Sequence, residues 1–207
     1  MKNYGFTLAE VLITLGIIGV VAAITIPNLI TTYKAKQLHS QFLKNYSILQ
    51  QISRRLNNDD IAIEIPLNYH QFLIYLPGST DCSTSYSTNC VDISKYPTGP
   101  NNDSFSGYLY DGKIMLADGT FWLFEQSGFI TIDINGYNNP PNKVGNDVFM
   151  FQPIDGEFIP MGEIGTKFSG EIYCNLRQPG NYQSTAGCAA KAKNNPDYFK
   201  EAIRKIK

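Results

Sequence analysis

Charge is scarce in this chain: Asp, Glu, Lys and Arg make up 17% of 207 residues, and the formal net charge is −1. That balance offers no concentrated basic face to follow a phosphate backbone, so nothing in it points to a nucleic-acid partner. Histidine is scarcer still, with only two, and neither His39 nor His70 stands in a nucleophile or metal motif. Gly-x-Ser-x-Gly, His-Glu-x-x-His and the P-loop pattern are all missing, which leaves catalysis without residues to carry it. Cys-x-x-Cys is missing too, and with it the usual zinc and thiol-redox signatures. The pattern shows no internal repeat and no second domain.

The absence of charge is concentrated in one place. From Phe6 to Ile30 the sequence is almost wholly apolar, and its only ionisable side chain is Glu10. Val11 to Ile30 carries no charge at all and at helical rise spans about 30 Å, the thickness of a bilayer's hydrocarbon. A carboxylate one turn inside such a helix costs about 2.5–3.5 kcal/mol on insertion scales, so it needs a partner and a purpose. An ordinary secretory signal fits poorly. Lys2 supplies a basic start and Val21-Ala22-Ala23 a small-residue cleavage site, but Glu10 interrupts the apolar run and the run continues past the cut. Orientation is not set by charge either, since Lys2 precedes the span while Lys34, Lys36 and Lys44 follow it.

Gly5-Phe6-Thr7-Leu8-Ala9-Glu10, with Pro27 further along the same apolar stretch, resembles the N-terminus of the type IV pilin and type II secretion pseudopilin superfamily. The resemblance implies a leader of residues 1–5, a membrane-spanning and filament-core helix of residues 6–30, and an extracytoplasmic head of residues 31–207. It implies cleavage after Gly5 by a prepilin peptidase, N-methylation of Phe6, and assembly through Glu10 and Pro27. The implied partners are that peptidase, other pilin or pseudopilin subunits and an inner-membrane assembly platform. The implied location is a single-pass cytoplasmic-membrane precursor, then a periplasmic pseudopilus or surface pilus. A membrane-tethered binding protein or minor tip subunit, with Ser79–Asn102 as its ligand surface, is the competing expectation.

Beyond Ile30 the helical pattern continues. Leu38, Phe42, Tyr46, Leu49, Ile52 and Leu56 recur at spacings of three and four, one stripe of a 3.6-residue helix. Lys36, Gln37, Gln41, Lys44, Asn45, Gln51 and Arg55 read as its solvated face. One helix therefore runs from Phe6 to near Leu56, with Pro27 expected to kink or loosen it. Asn68–Leu76 reads as a short helix stopped by Pro77-Gly78, and Ser79–Asn102 as a long loop. Four or five antiparallel strands follow, with primed turns expected at Asp118-Gly119 and a turn at Asp155-Gly156. The fold class is α+β, with the free stripe of the long helix covering one apolar face of the sheet. The tail closes in a helix with Asn195 as N-cap, Pro196 at its first position and Phe199, Ala202, Ile203 and Ile206 on one face.

Four cysteines permit three pairings. Cys82 with Cys90 and Cys174 with Cys188 are near in sequence and separated by the whole sheet, so these two disulfides are expected in an oxidising compartment. Asp133, Asn135 and Asp147, around Asn135-Gly136 and Gly145-Asn146, supply hard oxygens of the kind calcium takes, with glycine letting the loop turn. Turn-forming Asn, Gly and Pro account for the same stretch with no metal, and it contains no bidentate glutamate at the expected interval.

Overall fold

The computed structural model describes residues 7–83, 90, 112–125, 127–177 and 183–206. Helix α1 (Leu8–Asn58) runs unbroken through Pro27, although that residue has no N–H to give the carbonyl one turn back. Its two halves have opposite surroundings because their sequences do. Leu12, Ile13, Ile17, Ile18, Ile24 and Leu29 all stand exposed on the first half, which is long and apolar enough to cross a membrane. Further along, Phe42, Leu49, Ile52 and Leu56 are buried, with Leu38 and Tyr46 packed against them. Helix α2 (His70–Leu73) is the short one read from Asn68–Leu76, and its Phe72 enters the same core.

Among the described residues, six antiparallel strands form one sheet in chain order: β1 (Thr80–Asp81), β2 (Gly112–Met115), β3 (Phe121–Phe124), β4 (Ile130–Asp133), β5 (Val148–Ile154) and β6 (Glu157–Pro160). The extra strand over expectation is β1, where Thr80 faces Met115 and Asp81 faces Ile114. Two residues are too few for alternation to mark a strand, so the sequence reads there as loop. The turn between β2 and β3 also differs from expectation. Only Gly119 takes a left-handed φ, +86°, and the Leu116 and Thr120 backbones close a three-residue loop, a bulged alternative to the two-residue primed turn. The primed turn sits at Asp155-Gly156, where both residues have positive φ (50° and 78°).

The sheet has two buried faces, where the sequence suggested one. Ile114, Trp122, Phe124, Ile130, Ile132, Phe149, Phe151 and Phe158 share a core with α1. On the other side Phe121, Leu123 and Val148 pack with Cys82 and Cys90, while Phe129 and Met150 pack with Met161, Phe168 and Ala186. Cys82 and Cys90 on one part, and Met161, Phe168 and Ala186 on the other, thus provide the second cover. They let β3 and β4 be buried along their whole length, the continuous apolar reading of a strand covered on both sides.

Polar bonds seat α1 on the sheet. Asn45, assigned to solvent by its position between stripe residues, is 1% exposed. The Trp122 indole N–H donates to its Oδ1 at 3.1 Å, and its own amide donates to Gln41 O at 2.9 Å. A buried tryptophan needs such an acceptor, which is why a polar residue interrupts the core stripe. Ser53 and Asn57 both donate to Gly156 O at the primed turn, and Gln50 donates to Phe158 O.

Both expected disulfides form: Cys82–Cys90 and Cys174–Cys188. The second ties the 3₁₀ turn Glu171–Tyr173 to the helical tail, α3 (Gln183–Ala186), α4 (Cys188–Asn194) and α5 (Tyr198–Lys205). Helix α4 was not anticipated, since its sequence, Cys-Ala-Ala-Lys-Ala-Lys-Asn, carries too few large apolar residues to show a period. Helix α5 starts later than expected: Asn195 Oδ1 accepts from Asp197 N–H at 3.0 Å, an Asx turn preceding the helix. Its expected face is correct, with Phe199, Ala202 and Ile206 buried. The Cys174–Cys188 bridge closes a loop of roughly 15 residues, worth about 3 kcal/mol in the chain-entropy model. Replacing both cysteines with serine should lower head stability by about that much in denaturant titration, whereas an unchanged midpoint would mean the covalent tie is idle.

Candidate processing and assembly site

Gly5 and Phe6, the expected cleavage and methylation residues, lie outside the described residues. Immediately after them Thr7 adopts an extended conformation and caps α1. Its hydroxyl oxygen accepts from Glu10 N–H at 3.3 Å, and its backbone N–H donates to Glu10 Oε2 at 2.8 Å. Its hydroxyl proton also goes to Oε2, at 2.8 Å. This is a capping box, two orphan N–H groups at the helix start satisfied reciprocally. Thr-x-x-Glu ahead of an apolar run is the direct sequence signal of this cap, and it places Thr7 beside Glu10.

The geometry tells how a carboxylate can be tolerated on an apolar helix. Glu10 sits at the positive end of the helix dipole and keeps one oxygen on its own backbone. Among the described residues both hydrogen bonds to its carboxylate fall on Oε2, so Oε1 is left for an outside donor. Further along the span Gly16 and Gly19 would give an added Cβ open space, and Pro27 lies inside the helix with no local break.

The other sequence-predicted constellation does gather in space, but on itself. Asp133 Oδ1 accepts from Gly136 N–H at 2.9 Å. The Asp147 oxygens accept from Lys143 N–H at 2.6 Å and Asn142 N–H at 2.9 Å, with the Asn135 amide at 3.5 Å. Asn135 and Asn139 exchange side-chain-to-carbonyl bonds at 2.8 and 2.7 Å. Gly136 has φ +81°, and a Cβ there would meet Gly119 O at 2.2 Å, so the loop needs glycine where it passes the β2–β3 turn. Backbone amides are aimed at both carboxylates, as in an acid-capped turn, while the buried Oδ1 atoms of Asn135, Asn142 and Asn146 accept no hydrogen bond among the described residues.

Burial pushes the Asp147 carboxyl up to about 6, outweighing the backbone amides of Lys143 and Asn142 that favour its charged form. A folded-state value above the unfolded one means that the native state holds the proton longer. Asp147 therefore favours folding most below the unfolded value near 4, and this contribution is lost as pH rises through about 6. The expected slope, on the order of 2–3 kcal/mol in total, should vanish in Asp147→Asn when melting is followed across that range. Millimolar calcium should leave the melting temperature of the head unchanged; an upward shift reversed by chelator would restore the metal reading.

With this geometry in place, comparison with known proteins bears on the helix start. Residues 1–26 match the prokaryotic N-terminal methylation motif, the prepilin-type signature of type IV pilins and pseudopilins. No curated protein and no solved structure matches the chain. The matched residues include Gly5, Phe6, Thr7 and Glu10 and end just short of Pro27. The α+β arrangement behind them, a long helix laid on an antiparallel sheet and closed by a C-terminal disulfide, is pilin-like.

Proposed function

We propose that this chain is a structural subunit of a type IV pilus or of a type II secretion pseudopilus, cut after Gly5 by a prepilin peptidase and polymerised through α1. The observation that carries this is Glu10, held at the helix start inside the matched motif with one oxygen committed to Thr7 and the other open. Cleavage supplies the donor for it. A new amine at Phe6 is a cation in apolar surroundings, costly alone and much less so when paired. In an assembled filament Glu10 of one subunit accepts from the Phe6 amine of the next and fixes the axial register. The partners are the peptidase, sister subunits and an inner-membrane platform.

Before assembly α1 anchors the subunit in the cytoplasmic membrane with its head outside. Pro27 stands near the end of the span and eases local loosening of the helix as subunits pack. No catalytic role is assigned, since the chemistry is done to the chain by its processing enzyme. In cells that carry the assembly machinery, shearing should release the chain in the filament fraction. Full retention in the membrane fraction, with the head still exposed, would instead support a tethered binding protein that never polymerises.

A further inference from the structure

At the base of the head, basic side chains from two helices, Lys34 and Lys36 on α1 and Arg204 on α5, stand near the level where the apolar span ends. Helix α5 descends along α1: Phe199 packs by His39 and Phe42, with ring centroids 5.8 and 6.1 Å apart, and further down Arg204 donates to Asn28 Oδ1 at 3.4 Å. The guanidinium thus stands beside the last apolar turns of α1 and is exposed. Lys34 and Lys36, both exposed, follow Ile30 by about 6 and 9 Å of helical rise. The polar layer of a bilayer leaflet is roughly 5–7 Å deep, and long side chains reach back toward it. Lys200 and Lys205 lie on α5 as well.

Opposing charge at this end comes from α5 itself and is outnumbered. Glu201 is paired with Lys205, and Asp197 lines one cavity with Lys200, Glu201, Arg204 and Lys205. The neighbouring loop residues Asn139, Pro140 and Pro141, which line one cavity with Lys34 and Ile203, bring no acid. A chain with so little charge overall therefore gathers an excess of cations at the bilayer surface.

We propose that this base is a docking surface for anionic phospholipid headgroups, which hold α5 against the membrane while the subunit awaits assembly. The inference rests on α1 spanning the bilayer, as in the reading above. Each basic side chain near an anionic surface is worth a factor of about five in association, so several together hold the head firmly. Salt weakens such contacts as the Debye length shrinks.

The test uses the full chain, one per nanodisc, in phosphatidylcholine alone or with about 30% phosphatidylglycerol, with hydrogen exchange read by mass spectrometry. Amides of 198–205 should exchange at least about fivefold more slowly in the anionic discs. That difference should disappear in about 0.5 M salt and in the double variant Lys200→Glu, Arg204→Glu. Equal exchange of α5 in both discs, with residues 11–30 protected in each, overturns the docking surface and leaves the span intact. Free exchange of residues 11–30 in both discs overturns the premise instead. Slowing of α5 that follows polymerisation and ignores lipid charge gives the patch to a neighbouring subunit and overturns the proposal.

Discussion

Cells expressing Glu10→Val should contain a membrane-inserted, normally cleaved subunit and yield no filaments above background. The substitution removes a charged group and makes the span more apolar, so insertion is favoured. Gly5 and Phe6 are untouched, so processing proceeds. What is lost is the acceptor for the incoming amine, and a buried unpaired ammonium is strongly unfavourable. The capping box separates this effect from simple helix damage. Glu10→Gln retains an oxygen that can accept from Thr7 N–H but removes the charge, so it should keep the helix start and still assemble poorly. Thr7→Val removes the hydroxyl and leaves the carboxylate, at a cost of about 0.5–2 kcal/mol for a lost cap, and should reduce assembly far less. Shearing followed by electron microscopy reads all three; wild-type filament yield from Glu10→Val would end the intersubunit pairing.

Phe42→Ala should be the most damaging single change in the head. The ring is fully buried and meets Phe149 edge-on at 4.9 Å, with Phe151 at 5.9 Å and Phe199 at 6.1 Å. It therefore joins three separate pieces of the fold: the long helix, β5 and α5. Truncation removes those contacts and leaves a cavity, costing about 3–5 kcal/mol. For a head of this size that lowers the melting temperature by roughly 10 °C, measurable on the soluble fragment beginning at Asn28. Ile74→Ala, on an exposed side chain, should stay within about 0.5 kcal/mol. A loss below 1 kcal/mol at Phe42 would mean that helix and sheet are held together elsewhere.

Phe42 was also among the most legible residues, because a 3.6-residue period survives in sequence whenever large side chains mark one face. The same logic placed Leu49, Ile52, Leu56, Phe199 and Ala202 correctly. Asn45 was misplaced because its burial depends on Trp122, distant in sequence, and polarity alone assigns it to water. The second covered face of the sheet was hidden for a related reason. Its cover comes from Cys82, Cys90, Met161, Phe168 and Ala186, which are too sparse along the chain to show a period. Glu10 could be singled out on physical grounds, as a lone acid in an uncharged run, whereas Gly5 and Phe6 are marked only by the resemblance to the prepilin-type motif. Thr7 needed only the three-residue spacing to Glu10. The acids of the 133–147 loop look alike in sequence whether they face a cation or backbone amides, because both arrangements use the same turn-forming Asp, Asn and Gly.

The most direct measurement is the mass of the chain recovered from membranes that contain a prepilin peptidase. A processed subunit begins at Phe6 and carries one N-methyl group, while the same preparation from cells lacking the peptidase, or from Gly5→Val, retains Met1. An intact Met1 in the presence of active peptidase, or a terminus created after Ala23, would contradict processing at Gly5-Phe6 and with it the assembly role built on the new amine.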